Sequence, residues 1–250
     1  MLGQTLHRRR LAHWRRLASL AEGMDPGRLR QLRSDARQIR RAIDQVLTVA
    51  DTRLTLPAIG SNVMRKQVGA EWAWRPQLWR FAIRPQGYAG LLSPCEMGDE
   101  TSLHHDCQRS EVTARQIRNI QPADLCPFGL RLDVLGFEGS YLSLIINLPD
   151  DAAQSLKLRH LLQVDASILV ESPLDILVRL NVRHGPNTDQ LVLQMPKDTA
   201  EKSVEFDLAY SNINESRIEQ AWVEIFFQAP HMNQIDLRDV TISRRSRAEL

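Results

Sequence analysis

The chain changes its hydrophobic period along its length. In the first fifty residues apolar positions recur at helical spacing. Leu29, Leu32, Ala36, Ile39, Ile43, Val46 and Ala50 step by three and four, the seam of a heptad pattern. Leu11, Trp14, Ala18 and Ala21 step the same way. Between the two runs lies Gly23-Met24-Asp25-Pro26. Glycine suits a helix end, aspartate an N-cap and proline a first helical position. The pattern predicts two helices, over 4–22 and 26–49, joined as an αα-hairpin.

From residue 129 onward the period is two. Leu162, Val164, Ala166, Ile168 and Val170 alternate without a fault, as do Ile176, Val178, Leu180 and Val182. Val204, Phe206, Leu208 and Tyr210, then Ala221, Val223, Ile225 and Phe227, continue the pattern. A slip between Leu237 and Val240 predicts a bulge near Asp239. Pro, Gly and Asn punctuate nearly every interval, for example Glu171-Ser-Pro and His184-Gly-Pro-Asn. About eight strands with no crossover helices predict an antiparallel sandwich or barrel over 129–245 and disfavour a parallel sheet. Residues 51–128 are less regular and read as the opening strands and long loops of the same body, giving a hairpin over 1–50 and a β body over 51–250.

Charge separates the same two parts. The net charge is only +2, yet residues 1–50 hold eleven arginines against four acids, +7, which leaves −5 for the rest. The arginines either solvate the hairpin or tether it to an anionic surface, with Arg8, Arg9, Arg10, Arg15 and Arg16 as the contacts. Trp14, Leu11 and Leu17 opposite them favour a membrane leaflet slightly; an acidic protein assembly is a second partner, and nucleic acid is the least favoured. The seam of the second helix alternatively suits another helix, so an oligomer is open.

Three cysteines, Cys95, Cys107 and Cys126, form no CxxC pair and no disulfide framework. Reduced thiols point to the cytoplasm, in a protein that is peripheral to a membrane where the hairpin docks. The Arg-interrupted N-terminus lacks the apolar run of a secretory signal.

Three of the five tryptophans fall in Glu71-Trp-Ala-Trp-Arg-Pro-Gln-Leu-Trp-Arg. Two readings are open. Buried indoles plug cores. Alternatively Trp72, Trp74 and Trp79, with Arg75 and Arg80, form a glycan site, because sugars offer an apolar face and a hydroxyl rim. His104-His105-Asp106-Cys107 offers metal or Cys–His chemistry, so an enzyme using Cys107 and His105 is a further alternative. Strand neighbours point to opposite faces, however, and no spacing supplies further ligands. Asp236 and Asp239, with Asn233 near them, are candidates for a structural Ca²⁺. No nucleotide-binding, metalloprotease or nucleophile-elbow motif is present. No cofactor is expected.

Several segments resemble a bacterial family of uncharacterised proteins: Trp72-Ala-Trp-Arg-Pro-Gln-Leu-Trp, His105-Asp-Cys, Phe128-Gly-Leu-Arg-Leu-Asp-Val, Asn181-Val-Arg-His-Gly-Pro-Asn and Ile235-Asp-Leu-Arg-Asp-Val-Thr-Ile-Ser-Arg-Arg. That resemblance spans the chain and brings no activity. Ala221-Trp-Val-Glu-Ile-Phe-Phe and Ile235-Asp-Leu-Arg-Asp-Val-Thr-Ile are more loosely similar to the last strands of jelly-roll carbohydrate-binding modules. The resemblance implies an antiparallel β-sandwich of jelly-roll type behind the helical hairpin. The period switch near residue 129, the Trp segment and the charge split, rather than the resemblance, point to a non-enzymatic protein that binds a glycan or a protein partner. The alternative is a scaffold that self-associates through the hairpin while the sandwich is inert.

Overall fold

The structure, a computed structural model, describes residues 2–59, 64–197 and 199–247, with backbone alone at 2–8, 41, 44, 45, 48, 49 and 51–59. It divides into two compact units, 1–47 and 48–250.

The N-terminal unit is helical. Helix α1 runs Leu2–Leu20, a 3-10 turn follows at Ala21–Gly23, and α2 runs Pro26–Ile59. Asp25 caps α2, its Oδ2 accepting from Gly27 N at 2.9 Å, and Pro26 opens it, as the turn sequence predicts. The second helix extends ten residues past its expected end at 49. The seam fades at Ala50, but no glycine occurs between Gly27 and Gly60 to stop the helix. Leu29, Ile39, Ile43 and Val46 on that seam are exposed, Val46 at 68%. Among the described residues no helix is long and apolar enough to cross a membrane.

The second unit is a two-sheet sandwich. In chain order its strands are β1 Trp72–Trp74, β2 Gly87–Ala89, β3 Cys95–Glu96, β4 Thr101–His105, β5 Val112–Arg118, β6 Phe128–Val134 and β7 Leu142–Asn147. They continue with β8 His160–Val170, β9 Asp175–His184, β10 Asn187–Gln194, β11 Glu201–Asp207, β12 Ile218–Gln228 and β13 Asn233–Ser246. Two short helices, α3 (Gln77–Arg80) and α4 (Asp150–Gln154), lie between strands. All pairings are antiparallel. The first sheet runs β11-β8-β13-β6-β5-β2, and the second runs β10-β9-β12-β7-β4-β3. Each place in one order is held in the other by a chain neighbour: β11 with β10, β8 with β9, β13 with β12, β6 with β7, β5 with β4, β2 with β3. This repeated passage between sheets is a jelly roll.

The alternating positions fill the space between the sheets. Leu162, Val164, Ala166 and Ile168 of β8 are buried against Val178, Leu180 and Val182 of β9 and Val223, Ile225 and Phe227 of β12, all within one core. The expected bulge falls at Arg238, where the β13–β8 register shifts between Leu237 and Asp239. Beyond it β1 takes up the edge of β13 that β6 has left, Trp72 opposite Arg244 and Trp74 opposite Ile242.

Candidate functional site

The tryptophan segment is mostly interior. Trp74 shares a face with Ile242 and is buried. After Pro76 the chain turns through α3, whose Trp79 is 0% exposed and donates from Nε1 to the Leu237 carbonyl at 3.0 Å. Arg75, also 0% exposed, donates from Nε and Nη2 to the two oxygens of buried Asp239 at 2.7 and 2.8 Å. Arg80 faces Glu100 at 3.5 Å and lies over the Phe81 ring. The structure therefore corrects the proposed sugar platform: Trp74, Trp79 and Arg75 serve the core. It corrects the calcium candidate for the same reason. Asp239 is held by Arg75, and Asp236 is held by Arg131 through two 2.6 Å bonds. Among the described residues no group of acidic, His or Cys side chains is arranged for a metal. Asn233 instead clamps the β8–β9 turn, accepting from Glu171 N and Ser172 N at 3.1 Å.

Trp72 alone of the three indoles remains half-buried. It stacks on Trp74 at 6.2 Å between ring centres, with the Arg244 guanidinium 5.9 Å from its own. It borders a surface cavity of about 390 Å³ with Met64, Lys66 and Glu71.

The His–Cys segment forms a loop clamp. His105 Nδ1 accepts from Cys107 N at 3.2 Å, so the neutral ring carries its proton on Nε2, 3.0 Å from the Leu91 carbonyl. Both nitrogens are thereby occupied, and the Cys107 sulfur accepts from Gly139 N at 3.1 Å. His104 turns to the other side of the strand and meets Ser102. Asp106 accepts from the Ser140 hydroxyl at 2.5 Å and from Ser140 N at 2.8 Å. The Ser140 hydroxyl, helped by the backbone N–H groups of Tyr141 and Ser140, holds its carboxyl below the usual range. Gly139 permits this closeness, because a Cβ there would stand 2.9 Å from the Cys107 sulfur. Among the described residues His105, the base that the Cys107/His105 enzyme alternative calls for, has both ring nitrogens engaged with backbone groups. Burial pushes the thiols of Cys95 and Cys126 up, away from nucleophile chemistry.

Sequence reasoning missed the outer face of the second sheet. Residues directly opposite in an antiparallel pair share a face. Trp222 lies between Asn181 of β9 and Asn147 of β7, on the side away from buried Ala221 and Val223. Asn181 is 1% exposed, yet neither its side-chain oxygen nor its nitrogen has a hydrogen-bond partner. One pair further along, Glu224 accepts from Arg179 at 2.5 and 3.2 Å and from Ser143 at 2.9 Å. Arg179 in turn lies 4.6 Å over the Phe226 ring. Trp222, Phe226, Leu177 and Ile145 are all half-buried. The signal was available: β12 carries aromatics on its off-beat positions 222 and 226, which a one-sided strand would leave polar.

On the helical unit Arg9, Arg10, Arg15 and Arg16 are exposed, and the Arg8 side chain falls outside the described ones.

Fold and surface together define a jelly-roll sandwich protein with a basic helical unit. The chain belongs to a family of unknown function (DUF6478), whose model matches residues 1–250. No curated protein matches it. Among solved structures it is similar to a family 11 carbohydrate-binding module from Clostridium thermocellum, in complex with a beta-1,3-1,4-mixed-linked tetrasaccharide. That match has a TM-score of 0.40 and 10% identity, over 64% of this chain and 97% of that one. Another is the CBM22-1 xylan-binding domain from Paenibacillus barcinonensis Xyn10C, at TM-score 0.37 and 8% identity, over 58% and 87%. The tailspike protein 4 active domain of bacteriophage CBA120 aligns at TM-score 0.41 and 8% identity over 57% of this chain, which spans only 19% of that protein.

Proposed function

We propose that the sandwich is a non-enzymatic module that binds a neutral glycan on the outer face of its second sheet. The observation that carries this reading is the row Asn181–Trp222–Asn147, an indole flanked on both sides by amides. A sugar ring stacks its C–H face on an indole and turns its hydroxyls to flanking donors and acceptors. Of the two flanking amides the half-buried Asn147 is the one a ligand hydroxyl can meet directly, while Asn181, 1% exposed, lies beneath the surface beside the indole. The arginines of β9 on this face are paired, Arg179 with Glu224 and Arg183 with Glu219 at 3.2 Å, which suits an uncharged chain better than an anionic one. Trp222 and Phe226 stand four strand positions apart, about 13 Å, so a bound chain lies along β12 over more than one sugar.

A glycan array followed by calorimetric titration tests this. Trp222→Ala should weaken binding of the selected glycan about tenfold or more. A folded protein that binds no glycan, or binds equally well without Trp222, would sink the proposal. Trp72 supports a second locus for the same function, because it borders a cavity of about 390 Å³. Trp72→Ala run in parallel tells the two apart.

The basic helical unit would dock the module on an anionic membrane surface or an acidic assembly through Arg9, Arg10, Arg15 and Arg16, with Arg8 beside them. The exposed seam of α2 supports the alternative, self-association through helices. Three free thiols suit a reducing, cytoplasmic setting for either role.

A further inference from the structure

The outer face of the first sheet carries a separate polar cavity of about 140 Å³, bordered by β8, β11 and β13. Three of its four carboxylates already have cationic partners. Asp124 pairs with Arg238 at 2.8 Å, Asp239 with Arg75, and Glu201 with Arg65. Asp165 does not share this arrangement. It is 8% exposed, its Oδ1 accepts only from the neutral Gln163 amide at 2.6 Å, and its Oδ2 has no hydrogen-bond partner. Register places it between Ser203 and Thr241, one pair from Ser167. A buried carboxylate without a cation is costly, and a cation supplied from outside removes that cost.

We propose that this cavity binds a primary ammonium group carried on a small polar molecule. An ammonium is a compact charge with three donors, which suits Asp165 with the hydroxyls of Ser167 and Thr241 beside it. No group of metal-ligating side chains occurs among the described residues. The volume is close to that of cavities that take up a six-carbon ring. The ligand is therefore the end of a polyamine or a single amino sugar.

Calorimetric titration of the full chain with putrescine and with glucosamine tests this, against N-acetylglucosamine and sodium chloride at matched ionic strength. At least one amine should bind saturably, while N-acetylglucosamine, which lacks the ammonium, should not. Saturation by putrescine alone identifies the polyamine class, and by glucosamine alone the amino sugar. Asp165→Asn should weaken binding at least about tenfold, the scale of one charge-assisted hydrogen bond. Ser167→Leu fills the cavity and should abolish binding, whereas Trp222→Ala should leave it unchanged, which separates this site from the glycan face. No saturable amine binding at millimolar concentration, equal binding of N-acetylglucosamine, or undiminished binding by Asp165→Asn would overturn the proposal. The comparison of glucosamine with its N-acetyl form needs no variant, so a substitution that fails to fold leaves the test intact.

Discussion

Arg75 and Asp239, 164 positions apart, form a buried two-bond ion pair that fixes the end of β1 to the bulge of β13. The pair explains why two features that looked like separate sites in the sequence are one structural element. Removing one partner strands a charge inside the protein. Arg75→Met or Asp239→Leu should each cost about 3–5 kcal/mol in urea unfolding. The double variant should cost less than the two singles together. Additive losses would show that the two residues act independently.

Trp79 and Trp222 should part in the same assay. Trp79→Ala removes a wholly buried indole and its hydrogen bond to Leu237 and should cost about 3–5 kcal/mol. Trp222→Ala, on the outer face, should cost clearly less. Similar losses would contradict the placement of these two side chains.

The sandwich was legible in the sequence because its strands alternate cleanly. Leu162 to Ile168 and Ile176 to Val182 announce an inner face by period alone, and the turn residues bound them. The site was not legible for a different reason. Trp72, Trp74 and Trp79 cluster in sequence, but clustering does not report depth. Arg75 is held inside by Asp239, a partner that strand pairing brings from the other end of the chain. Trp222 is a single indole in its strand, and the amides that flank it come from β9 and β7. Cross-strand rows of this kind depend on register, which no local pattern states. The long second helix was underestimated because the seam weakens before the helix stops.

Stability should fall as the solution is acidified from neutrality. Burial, then the charge of Arg244, lowers the His160 pKa below its ordinary value of 6.5. Its Nδ1 already accepts from Lys157 N at 3.0 Å, a bond that protonation would break. Below about pH 6.5 the unfolded chain binds a proton that the folded chain refuses, so stability is lost as pH falls toward the lowered value. The slope from this one group is at most about 1.4 kcal/mol per pH unit. Urea midpoints measured across this range should flatten in His160→Gln; an unchanged slope would assign the loss to other groups.

Binding of the helical unit to anionic lipid vesicles should decline steeply with added salt. Replacing Arg9, Arg10, Arg15 and Arg16 together with Gln should produce the same loss at low salt. Association that salt leaves untouched would assign the unit's role to the apolar seam of Leu29, Ile39, Ile43 and Val46.

The most direct test of the glycan face follows the indole N–H resonances of the five tryptophans during titration with an array-selected glycan. The Trp222 resonance should shift progressively and saturate, while that of buried Trp79 stays in place. Saturation with a shift at Trp72 alone, or with none of the five moving, would contradict a sugar site built on the Asn181–Trp222–Asn147 row.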